Sequence, residues 1–141
     1  MRVAPVATHM SLSYVLDRPA RIVRITYASN PSFEEWVAMM QAVFREAEYA
    51  PGWGLLSDRR AVREPQTKEF IERVVAFLRR HRGELEHGRW AMVVSGVAVY
   101  GMARMAQELA GELPVQLGVF TDMDEACEWL NLARPQAASS D

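Results

Sequence analysis

Nucleophilic catalysis needs a base within hydrogen-bond reach of a serine, threonine or cysteine, and this 141-residue chain has few bases. Its three histidines are His9, close to the start, and His81 and His87, which flank the end of a predicted helix. None follows a strand at the edge where α/β sites form. No Gly-x-Ser-x-Gly elbow occurs. The single cysteine, Cys127, stands in a helical apolar pattern, where a free thiol behaves as a small buried hydrophobe. One cysteine allows neither an intrachain disulfide nor a thiolate metal cluster. The acidic groups Glu34, Glu35, Asp122, Asp124 and Glu125 fall in the first turns of predicted helices, where carboxylates complement the dipole without a cation. The pattern predicts no catalytic residue, no metal site and no cofactor.

Anion chemistry has better candidates. Gly96-x-x-x-x-Gly101 follows a predicted strand and opens a helix, the setting of a phosphate loop. Met102-Ala103 occupy the positions where such a loop carries Lys and Ser or Thr, so nucleotide hydrolysis has no support. Free amides at that helix start can still hold an anion; the bland use of both glycines is a tight turn with close backbone packing. Tyr100 and Arg104 lie one helical turn apart amid Met102, Met105 and Leu109, and Asp58-Arg59 close a short apolar strand. An arginine among apolar neighbours needs a partner, because an unpaired buried charge is expensive. Asp58 or a backbone carbonyl is the expected partner of Arg104, an internal pair fixing helix to sheet. The ligand- or anion-binding candidates are therefore Asp58, Arg59, Gly96, Tyr100, Gly101 and Arg104. Eight methionines, several on helix faces, either fill the core or line an adaptable apolar pocket.

The elements that must position these groups follow from periodicity. Residues 10–16 alternate Leu12, Tyr14 and Leu16 against serines, and residues 21–28 place Val23, Ile25 and Tyr27 on one face. The turn residues Asp17-Arg18-Pro19-Ala20 between them predict an antiparallel hairpin. Ser32 with Glu35 three residues on is a capping box, opening a helix whose apolar face carries Phe33, Trp36, Val37, Met40, Val43, Phe44 and Ala47. Residues 55–60 form a short strand. A second helix starts at residues 65–67, with Phe70, Ile71, Val74, Val75 and Leu78 inward and Gly83 past its end. Residues 90–95 are apolar on both parities, as a strand covered on both faces must be. A third helix follows residues 96–101, residues 115–120 form the last strand, and Thr121 or Asp122 caps a final helix. The order ββαβαβαβα predicts an α/β fold: a mixed sheet of about five strands under packed helices, the last three strands parallel.

Half of the residues are hydrophobic and 24% are charged, which supports one globular domain of this length. Sixteen basic against eighteen acidic residues leave a net charge of −2, with no electrostatic footprint for nucleic acid. No segment approaches a membrane span, and the first residues carry no signal-peptide pattern. The expectations are a cytoplasmic protein with a flexible leader (1–9), a single α/β domain (10–132) and a flexible tail (133–141). Met10 is a second candidate start. A homodimer is expected as the commonest oligomer, with Trp53, in a Gly-Pro-rich loop, as an exposed contact.

Leu55-Leu56-Ser57-Asp58-Arg59, Tyr100-Gly101-Met102-Ala103-Arg104-Met105 and the closing stretch from Val119-Phe120-Thr121-Asp122 to Trp129-Leu130 resemble bacterial proteins of the STAS-like, or SpoIIAA-like, group. The resemblance covers about residues 10–132. It implies the fold of anti-sigma-factor antagonists and, more distantly, of lipid-binding Sec14-like domains. Antagonists of that group carry an Asp-Ser-Ser phosphorylation motif at the start of the helix after the third strand. This chain has Gln66-Thr67-Lys68 there, which makes Thr67 the phosphorylation candidate although the Asp is missing. The favoured reading is a non-catalytic regulatory or binding module with a protein partner or small ligand. The alternatives are a lipid or small apolar ligand binder of Sec14-like type and a small enzyme with a site assembled in a dimer.

Overall fold

The structure, a computed structural model, describes residues 7–8 and 11–131. Alternation makes the hairpin as expected. Strands β2 (Leu12–Asp17) and β3 (Ile22–Tyr27) pair antiparallel, with Tyr14 opposite Ile25 and Leu16 opposite Val23. All four of these side chains are buried. A two-residue strand, β1 (Ala7–Thr8), pairs antiparallel with β2 on the outside. It falls in the stretch read as a leader; the rest of that stretch and the tail lie outside the described residues.

Helix α1 (Phe33–Phe44) starts on the capping box read from Ser32 and Glu35. The Ser32 hydroxyl accepts from the Glu35 N–H at 3.1 Å, and the Ser32 N–H donates to the Glu35 carboxylate at 2.9 Å. The Ser11 hydroxyl donates to the same carboxylate, which ties the helix start to β2. The chain then runs through β4 (Gly54–Asp58), α2 (Lys68–Arg79), a single turn α3 (Arg82–Leu85), β5 (Arg89–Val93), α4 (Val97–Leu109), β6 (Gln116–Phe120) and α5 (Met123–Asn131). Asp122 caps α5, its carboxylate accepting from the Glu125 N–H at 2.9 Å.

Among the described residues the six strands lie in chain order, and β3 to β6 are parallel. Each crossover therefore steps the same way along the sheet. Crossovers of one hand then put their helices on one face. Residues of α1, α2 and α4 do pack there, on Val23, Ile25, Leu55 and Trp90. The last helix, α5, covers the opposite face, where Ala126 and Leu130 meet Ile22, Leu56, Ala91 and Val93. Strands β4 and β5 are thus covered on both sides, which explains why Leu55 and Leu56 are both buried and why β5 is apolar from Trp90 to Val93. Trp129 lies close over β6 at Gly118, where an added Cβ would stand 3.0 Å from its ring and 2.8 Å from Phe120.

Three local expectations change. Trp53 is buried, not an exposed contact: its ring packs 6.2 Å from Tyr49 and joins the main core. Gly83 lies within α3 and does not end α2, which stops at Arg79. Gly101 is neither a turn nor a close-packing position. It sits one turn inside α4, and a Cβ there would touch nothing.

Candidate functional site

Small residues on α4 leave the feature that matters. Val99, Met102, Ala103 and Ala106 recur at helical spacing on the side facing α2, and two of the four are alanine. Opposite them stand Ile71, Val74 and Val75 of α2, with Trp90 and Met92 of β5 as floor. The short side chains do not fill the gap between helices and sheet, and a cavity of about 100 Å³ remains. An apolar cavity of roughly 150 Å³ takes benzene; this one is smaller and has room for a short alkyl chain.

Its polar lining is gathered at one end. Tyr27 closes β3, Ser57 is the penultimate residue of β4, and Arg59, Glu64 and Gln66 follow in the next loop. This is the carboxyl edge of the parallel strands, where α/β sheets place ligands. Ser57 is only 2% exposed, and its hydroxyl accepts a hydrogen bond from the Trp90 indole N–H at 2.9 Å. The Arg59 guanidinium lies 4.1 Å above the centre of the Tyr27 ring and donates to the Asn30 side-chain carbonyl at 3.0 Å. Asn30 in turn donates to the Glu64 backbone carbonyl at 2.8 Å, and Gln66 donates to the Pro31 carbonyl at 3.1 Å. The loop after β4 is thereby tied to the segment after β3, and Arg59 is held flat by two neutral contacts.

The six candidates do not converge. Asp58 ends β4, and Arg59 extends its ladder by one bond, its N–H donating to the Val93 carbonyl at 2.8 Å, so the two side chains face opposite sides of the sheet. Arg59 lines the cavity, whereas Asp58 shares the parity of Leu56 on the α5 side. There Arg60 grips the Asp58 carboxylate through two side-chain N–H groups, both at 2.9 Å, and through its backbone N–H at 3.1 Å. Those side-chain bonds hold the Asp58 carboxyl below the usual carboxylate range, against the opposing effect of burial. The expected Asp58–Arg104 pair therefore does not form. Arg104 is exposed and bonds the Tyr100 hydroxyl at 3.4 Å. Tyr100 packs against the small cluster of Val94, Val99 and Ala103 and does not line the cavity. Gly96 precedes α4 at φ +90° and ψ 148°, a backbone region only glycine adopts freely. Thr67 is the N-cap of α2, exposed, its hydroxyl accepting from the Phe70 N–H at 3.1 Å.

The residues that do meet, Tyr27, Ser57, Trp90 and Gln66, were read only as strand or helix-start positions. Alternation along β4 could have shown that Ser57 and Arg59 share a face. Nothing local says that α4 leaves space above them. Among the described residues no group of His, Cys, Asp or Glu could hold a metal ion, and no helix is long and apolar enough to cross a membrane.

No family model matches this chain, and no curated protein does. A solved structure does: an uncharacterized protein of the DUF3478 family with a SpoIIAA-like fold, from Shewanella loihica. The match has a TM-score of 0.59 at 14% identity and covers 90% of this chain and 99% of the other. At that identity the likeness establishes the SpoIIAA-like fold and nothing finer.

Proposed function

We propose that the protein is a non-catalytic binding module whose ligand is a small, largely apolar molecule held between α2, α4 and the sheet. The supporting observation is the cavity itself: aliphatic, methionine and aromatic side chains over most of its wall, with polar groups at one end. That is the composition of a ligand pocket, and among the described residues no nucleophile–base pair stands beside it. Trp36 and Trp90 both line the space, so occupation changes indole emission. Titration of the purified chain with 1-butanol and 1-hexanol should give a saturable fluorescence change, and native mass spectrometry should detect a co-purified small molecule. A linear, non-saturating response to both probes together with a ligand-free mass would sink the proposal.

A second reading rests on Thr67. A phosphate on this exposed N-cap would stand at the positive end of α2, the place of the switch in anti-sigma-factor antagonists. Under this reading Thr67→Glu changes which proteins the chain retains from lysate. An identical set for wild type and variant counts against it.

A further inference from the structure

We infer that the ligand is an amphiphile with an anionic head, a carboxylate or a phosphomonoester, and that Arg59 binds that head at the polar end of the cavity. The inference rests on the proposal above and names its ligand class. Arg59 is half-buried, yet among the described residues it forms no ion pair. Its contacts are the Tyr27 ring face and the Asn30 amide oxygen, both neutral. A partly desolvated guanidinium carries a solvation penalty that a counterion offsets, and its fork of N–H donors matches carboxylate and phosphate oxygens. The neighbouring Arg60 is different, because Asp58 already neutralises it.

Two further features point the same way. Cation–π contact and the Asn30 bond fix the plane of the Arg59 guanidinium before any ligand arrives, which lowers the ordering cost of binding. Ser57, on the same strand face, uses its oxygen to accept from Trp90, and its hydroxyl proton has no acceptor among the described residues. The polar end thus presents donors from both Arg59 and Ser57, and Arg59 has no carboxylate paired to it there. Glu64 lines the same end without pairing to Arg59, and its carboxylate works against an anion. It tunes the preference downward.

The test is calorimetric titration of the full chain with hexanoate, hexyl phosphate and the neutral hexanamide, which share one apolar body. At low salt at least one anion should bind about tenfold or more tightly than the amide, the margin a charge-assisted pair supplies, and added salt should narrow the gap. Hexanoate against hexyl phosphate identifies which head is preferred. Arg59→Gln should bring the anions down to the amide's affinity and leave the amide unchanged. Glu64→Gln should strengthen the anions alone. Equal affinity of anions and amide for the wild type overturns the inference and leaves the apolar-ligand proposal standing, as does an anion preference that survives in a folded Arg59→Gln. Should Arg59→Gln fail to fold, the wild-type preference and its rise in Glu64→Gln decide the matter. No binding by any of the three overturns both.

Discussion

Filling the cavity tests both its existence and its role. Ala106 is half-buried on α4 and faces the space. In Ala106→Leu the backbone propensity hardly changes, because Ala and Leu are the two best helix formers. Three added carbons enter the cavity at about 0.8 kcal/mol each, against roughly 0.5–1 kcal/mol of lost rotamer freedom. The net gain is about 1.5 kcal/mol, which for a chain of this size raises the thermal midpoint by about 5 °C. Calorimetry on wild type and variant reads the stability, and the 1-hexanol titration reads the site. The expected result is a more stable protein with its saturable fluorescence response lost. A variant destabilised by about 1–3 kcal/mol, the cost of overpacking a filled core, would show that no free space exists. A stabilised variant that still binds would place the ligand elsewhere.

Two other perturbations follow from the same geometry. Gly101→Ala removes a glycine from inside α4 at a position where the new methyl touches nothing, so it should add up to about 1 kcal/mol of stability in denaturant unfolding; a loss would mean that α4 is not helical there. Asp58 has a depressed carboxyl pKa when folded, so its contribution is present above the unfolded value of about 4 and is lost as pH falls through the folded value. Because the pair is partly exposed, Asp58→Asn should cost no more than about 1 kcal/mol near neutrality, and the two thermal midpoints should draw together below about pH 4. A gap that widens in acid would contradict the Arg60 pairing.

Much of the fold was legible because the signals are local. Alternation placed Leu12, Tyr14, Leu16, Val23, Ile25 and Tyr27 on one buried face. The Ser32–Glu35 box opened α1, and Asp122 capped the last helix. The double-sided apolar run at Trp90 marked an inner strand. The readings that failed needed distance information. Arg104 looked buried because its sequence neighbours are apolar, but a helix has an outer side and Arg104 occupies it. Trp53 looked exposed because its loop is rich in Gly and Pro, but the loop folds back onto Tyr49.

Residue order settled which faces are apolar and where helices start, since each depends on neighbours within a few positions of the chain, and the helix-length crossovers it showed made the last three strands parallel. The order of strands across the sheet, the face each helix covers and the meeting of Ser57 with Trp90, thirty-three residues apart, arise from packing between remote segments. The cavity belongs to the second group as well: an alanine on a helix is neutral in isolation, and becomes empty space only when α2 and the sheet hold α4 where its short side chains cannot reach across.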